Sequence, residues 1–90
     1  MFFYDIAPKA KVHVVGITKK HLSSLDEMTE EDRGVVGKLM DEVGEVIRKT
    51  DIDPAKGYRV VTNIGPQGGQ EIPHLHFHIL GGEPVGPLRC

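Results

Sequence analysis

His74, His76 and His78 stand at two-residue spacing, with Leu75, Phe77 and Ile79 between them. This is the period of a β-strand, whose alternate side chains leave on opposite faces. The spacing predicts three imidazoles on one face, about 6.6 Å apart in succession, and three apolar side chains on the other face, in a core. A neutral imidazole is available at ordinary pH and can attack phosphorus, pass a proton or bind a metal ion. Placing three of them on one face for packing alone would require hydrogen-bond partners for each ring.

The approach to this row is a glycine turn, Gly65-Pro66-Gln67-Gly68-Gly69, of the kind that lets backbone N–H groups come close to an anion. The loop from Gly65 to Pro73 is longer than a tight hairpin needs, and such loops often carry function.

The elements that must hold these residues follow from pattern. Phe2 to Ile6 reads as a strand ended by Ala7-Pro8. Val12 to Thr18 reads as a second strand, with His13, Val15 and Ile17 on one face and Val12, Val14 and Gly16 on the other. The Lys19-Lys20-His21 cluster reads as a solvated exit from it, and residues 22 to 28 as a polar connection. Thr29, followed by Glu30-Glu31-Asp32, is an N-cap signal. Val35, Val36, Leu39, Met40, Val43, Val46 and Ile47 then recur at helical spacing until Asp53-Pro54. The result is a helix of about five turns. Gly34, Gly37 and Gly44 each cost it about 1 kcal/mol relative to alanine, which suggests that another backbone approaches closely. Tyr58 to Ile64 reads as a third strand and His74 to Leu80 as a fourth. The fold class is α+β, an antiparallel sheet of about four strands with one long helix, in a single domain over residues 1–90. On residue type alone, Asp5 reads as a turn aspartate, His13 as structural and Asn63 as a turn former.

The chain has 90 residues, 11 of them basic and 13 acidic, with no long run of either sign. Nothing in this balance suggests a polyanion-binding surface, so no nucleic-acid partner is expected. A core this small makes self-association unsurprising. The single cysteine, Cys90, cannot form an internal disulfide. No stretch has the length of a membrane span, and Met1-Phe2-Phe3-Tyr4-Asp5 lacks the pattern of a signal peptide. The expectation is a cytoplasmic protein without a membrane partner.

The segment His74-Leu75-His76-Phe77-His78-Ile79-Leu80 resembles the His-φ-His-φ-His-φ-φ signature (φ hydrophobic) of the histidine triad superfamily. Gly68-Gly69-Gln70 before it and Gly81-Gly82 after it look like the Hint branch of nucleoside phosphoramidate hydrolases. The likeness extends back through Phe3-Tyr4-Asp5-Ile6-Ala7-Pro8, His13 and Lys19-Lys20-His21. Thr18 departs from the proline common in that branch. Hint-like proteins usually carry a further helix and strand before the Phe-x-Asp-Ile segment, so much of the nucleobase pocket is expected to be absent here.

The resemblance implies a catalytic set of His76, His78, His74 and His13, with His76 as the nucleophile that forms a nucleotidyl intermediate. His78 and His13 would donate to non-bridging oxygens or relay protons. The implied nucleotide-binding residues are Asp5, holding ribose hydroxyls, Asn63 and the Gly69 N–H, stabilising charge on the α-phosphate, and Glu71. Glu71 either donates a proton to the leaving amine or points to solvent. The implied substrate is a purine nucleoside phosphoramidate or an aminoacyl adenylate, with no cofactor and no metal, in a homodimer. Two alternatives stay open: a non-catalytic nucleotide-binding or interaction module, and a metal site in which His13 or Glu71 completes a shell begun by the strand histidines.

Overall fold

A computed structural model of the chain describes residues 1–22, 24–70 and 72–86. Its elements are β1 (Phe2–Tyr4), β2 (Val12–Ile17), α1 (Glu30–Arg48), β3 (Arg59–Val61) and β4 (His76–Gly81). The four strands form one antiparallel sheet in the order β1-β2-β4-β3. This is the α+β architecture expected from the pattern.

The central pair is β2 and β4, in a register that sets Ile17 opposite His76, Val15 opposite His78 and His13 opposite Leu80. Because opposed residues share a face, this register collects β2's odd-numbered side chains and β4's histidines on one side of the sheet. The other side is the core. Val12, Val14 and Ile79 pack against Val43, Ile47 and Ile52, while Leu75 and Phe77 pack with Leu22 and Leu39. One face of α1 therefore covers one face of the sheet, and the histidine face is left for chemistry. Phe2 lies over Gly16, where an added Cβ would collide with its ring.

Helix α1 starts as its sequence implies. Thr29 Oγ1 accepts from the Asp32 N–H at 3.2 Å, and Asp32 Oδ2 accepts from the Thr29 N–H at 3.1 Å, which closes a capping box. Asp32 is buried and also binds Lys20 Nζ at 2.6 Å. Lys20 is exposed, as a strand exit would be, and its ion pair also ties the end of β2 to the start of α1. The Lys20 ammonium and the Thr29 amide hold the Asp32 carboxyl below its ordinary range. Within this chain, an added Cβ at Gly34 or Gly37 would meet nothing within 4 Å among the described residues beyond the helix's own backbone. No helix of the described residues is long and apolar enough to cross a membrane.

Three strands are shorter than their apolar runs. β1 stops at Tyr4 because the Asp5 side chain accepts the Ala7 N–H at 2.7 Å and turns the chain. β3 covers only Arg59–Val61, so Asn63 lies beyond it. β4 begins at His76, and His74 stands in the bend before it. The reason is local: the Leu75 N–H is taken by the Leu22 carbonyl and the His74 carbonyl by the His76 ring, so neither enters the ladder.

Candidate active site

His76 opens β4 with its ring buried. Its Nδ1 lies 2.8 Å from the His74 carbonyl oxygen. A carbonyl can only accept, so Nδ1 carries the proton and Nε2 keeps its lone pair. The Thr62 hydroxyl, just past β3, donates to the His76 carbonyl at 2.6 Å and fixes the backbone at this point.

His78 follows on the same face, with its ring centroid 4.9 Å from that of His76 and 5.0 Å from that of His13 on β2. His13 is almost fully buried, and its Nε2 lies 2.8 Å from His78 Nδ1. Burial, followed by the neighbouring His76 and His13 rings, pushes His78 down to about 4. Burial also lowers His13, against the opposing pull of the Asp5 carboxylate. His78 is therefore neutral at pH 7, and the shift at His13 acts in the same direction. Asp5 Oδ2 stands 3.7 Å from His13 Nε2, which brings this residue from the loop after β1 to the histidines.

His74, although off the strand, lies beside His76 in the same cleft and meets the exposed His21 ring edge-on at 4.9 Å between centroids. Asn63 and Gly69 line a second cleft together with His76, His78 and His13. Gly69 takes φ 79°, and its N–H is bonded to the Pro66 carbonyl at 3.2 Å, so donation to a ligand requires an exchange of that bond. A Cβ at Gly68 would collide with the Ile64 carbonyl, which ties the two glycines to separate needs of one turn. Glu71 lies outside the described residues.

The two clefts meet at Asp5, Ile72, His76 and His78. On one side is an apolar cleft of about 410 Å³, walled by Phe3, Val15 and Ile17. Its far side is open, and Tyr4, Ile6 and Ile72 stand largely exposed around it. On the other side is a smaller polar cleft walled by Lys9, His13, Asn63 and Gly69. An apolar cavity thus stands beside the histidines. An amphipathic ligand with an apolar ring at one end and an anion at the other matches this division, with its linking group beside Asp5.

For a metal ion, the ligand atoms of Asp5, His13 and His78 lie within 4.8 Å of one another. The two nitrogens, however, are 2.8 Å apart and share a proton. Bonds of about 2.0–2.1 Å in tetrahedral geometry would separate them by roughly 3.3 Å, so an ion would have to displace that proton and part the rings. The donor set fits a hydrogen-bonded pair better than a metal shell.

Three contacts escape a reading by residue type. Lys9, whose N–H reaches His13 Nδ1 at 3.1 Å, lies in a loop shaped by the Asp5 turn. Ile72 joins both clefts from a loop with no period, and Lys20 finds Asp32 across the fold. The one available signal was the Asp-x-Ala-Pro turn, Asp5 to Pro8, which ends five residues ahead of a strand histidine.

The sequence profile of the HIT domain matches residues 1–85. A HIT-like protein of Helicobacter pylori is 43% identical over 81 residues, covering 90% of this chain and 74% of its own. Among solved structures, a HIT family hydrolase from Clostridium thermocellum superposes with a TM-score of 0.87 at 37% identity, over 97% of this chain and 75% of that one. A histidine triad protein from Clostridium difficile superposes with a TM-score of 0.86 at 32% identity, over 98% and 76%. With the profile spanning almost the whole chain and the same fold in these relatives, this protein belongs to the HIT domain family.

Proposed function

We propose that this chain hydrolyses the bond between a nucleoside α-phosphate and its leaving group, with a purine nucleoside phosphoramidate or an aminoacyl adenylate as substrate. The observation that carries the reading is His76 Nδ1 on the His74 carbonyl, which leaves a bare Nε2 on a ring that lines both the apolar and the polar cleft. The name of the Clostridium thermocellum relative, a HIT family hydrolase, supports the reaction class.

In the first step, the His76 Nε2 lone pair forms a bond to phosphorus while the bond to the leaving amine or carboxylate breaks. An amine departs with a proton gained from the site or from solvent. In the second step, water attacks phosphorus, the N–P bond returns its electron pair to His76, and a nucleoside monophosphate leaves. His78 remains neutral and supplies a hydrogen bond to the developing phosphate charge, a fixed-donor effect of the oxyanion type, while His13 stands behind it on His78 Nδ1. Asp5 accepts from ribose hydroxyls, Asn63 donates to a phosphate oxygen, and Gly69 adds its N–H once it leaves Pro66. The reading includes a homodimer in the cytoplasm.

Rapid quench of the protein with an adenosine phosphoramidate, followed by peptide mass spectrometry, tests it. A nucleotidyl adduct on His76 is expected. An adduct on His74 or His78, or turnover with no adduct under single-turnover conditions, would overturn the assignment.

A further inference from the structure

His13 is held at two points by the loop that follows β1. Its carbonyl accepts the Asp5 N–H at 2.9 Å, and its ring Nδ1 accepts the Lys9 N–H at 3.1 Å. A ring nitrogen that accepts a hydrogen bond carries no proton of its own, so neutral His13 has its single proton on Nε2. That proton faces His78 Nδ1, 2.8 Å away, which must then be the acceptor. Neutral His78 in turn holds its proton on Nε2.

We propose that the Lys9 backbone N–H is a positioning group: by fixing the tautomer of His13 it fixes that of His78, and it makes the pair a one-way array that offers His78 Nε2–H to a phosphate oxygen and relays no proton.

The absence of a relay follows from counting protons. If His78 gave its Nε2 proton away and drew another from His13, His13 would be left with none, because the Lys9 N–H occupies its remaining nitrogen. A bare imidazolate in a buried position is prohibitively costly. The reverse path would place a proton on His13 Nδ1, directly against the Lys9 donor. A proton needed by the leaving group therefore reaches it by another path.

The loop is built to hold this donor. Asp5 Oδ1 accepts the Ala7 N–H at 2.7 Å, and the resulting turn aims the Lys9 N–H, four residues before His13, at the ring. The same carboxylate lies 3.7 Å from His13 Nε2, on the side where the proton sits. The Lys9 side chain is not what acts, since the contact uses its backbone. What the array faces rests on the proposed hydrolase reading, whereas the tautomers belong to the free protein.

The experiment is ¹⁵N NMR of the uniformly labelled, unmodified protein at neutral pH without substrate. The expected result is a proton on Nε2 of both His13 and His78 and on Nδ1 of His76, with a ¹⁵N–¹⁵N coupling across the Lys9 N–H···Nδ1 bond. Lys9→Ala keeps the backbone donor and should keep this pattern. Replacing the amide at position 9 by an ester, which removes the donor, should shift the His13 tautomer ratio by about fivefold to tenfold, the value of one neutral hydrogen bond. A proton on His13 Nδ1 in the unmodified protein, the lack of a coupling to Lys9, or an unchanged ratio in the ester would each overturn the proposal. Should the ester fail to fold, the coupling and tautomers of the unmodified chain still decide. An inactive protein with these tautomers would sink the hydrolase reading alone, and an active one with His13 protonated on Nδ1 would sink this inference alone.

Discussion

His76 Nδ1 lies 2.8 Å from the carbonyl oxygen of His74, and that carbonyl is free to accept because the chain bends there before entering β4. In a continued strand the same oxygen would have been available to a neighbouring strand's ladder. The departure of His74 from the strand and the tautomer of His76 are two sides of one local structure.

His76→Ala removes the proposed attacking nitrogen. Turnover of an adenosine phosphoramidate is expected to fall by about a thousandfold or more, as for other nucleophile deletions. The cavity left by one ring should cost roughly 1–3 kcal/mol in stability. Denaturant unfolding beside steady-state kinetics separates the two effects. A loss of activity no larger than the loss of folded protein would argue against the role.

His78 links stability to pH. Its ordinary value is 6.5 and burial among His76 and His13 brings it to about 4 in the fold, so between these values the unfolded chain binds more protons than the native one. Stability therefore rises with pH across that window. The contribution is complete above about pH 6.5 and is lost progressively as pH falls toward 4, by an amount on the order of 2–3 kcal/mol. Urea midpoints measured from pH 4 to 8 for the unmodified protein and His78→Gln should show the slope in the first and a flatter profile in the second. Equal slopes would show that His78 is not the group responsible.

The N-terminus of α1 offers a test away from the histidines. Thr29→Ala removes one half of the capping box and should cost about 1 kcal/mol. Asp32→Ala should cost more, because it removes the other half and leaves Lys20 without its partner. Thermal unfolding of both variants, with Lys20→Met as a third, checks the order. A Thr29 variant less stable than the Asp32 variant would contradict the ion pair's part in the fold.

Much of this architecture was readable because the governing patterns are local. The alternation of Leu75, Phe77 and Ile79 with the histidines gave the core face, and Thr29 with Asp32 marked the helix start. What could not be read depends on partners far along the chain. His74 leaves the strand because Leu22, fifty-odd residues away, captures the next N–H, and no period encodes that. Lys20 is an exposed lysine, and its bond to a buried carboxylate exists only once the fold brings Asp32 to it. Lys9 acts through its backbone, which is the one part of a residue that its letter does not describe.

Chelation separates the hydrogen-bonded pair from a metal site. With His13 Nε2 and His78 Nδ1 sharing a proton at 2.8 Å, attack by neutral His76 on a phosphate held by fixed donors needs no Lewis acid. Turnover should be unchanged after exhaustive treatment with a chelator, and added zinc should not raise it. Activity lost on chelation and restored by zinc would favour the Asp5, His13 and His78 metal shell.

The apolar cleft predicts how strongly the base is read. Full stacking of a base on aromatic side chains is worth about 1–3 kcal/mol. Here Val15 and Ile17 offer an aliphatic wall and Phe3 a single ring, while Tyr4, Ile6 and Ile72 leave the opposite side exposed. One-sided contact of this kind should contribute about 1 kcal/mol, which is roughly fivefold in binding. Contacts remote from the reacting bond also align it, so the difference should be felt in kcat/KM as well as in affinity. Adenosine and guanosine phosphoramidates should therefore exceed the uridine compound by less than about tenfold in kcat/KM. Ile17→Ser, opposite His76 in the ladder, should erase most of that margin while leaving the His76 adduct detectable. A purine preference above a hundredfold in the unmodified chain would mean that the base is gripped on both faces, and that the cleft closes around it in a way these exposed side chains do not provide.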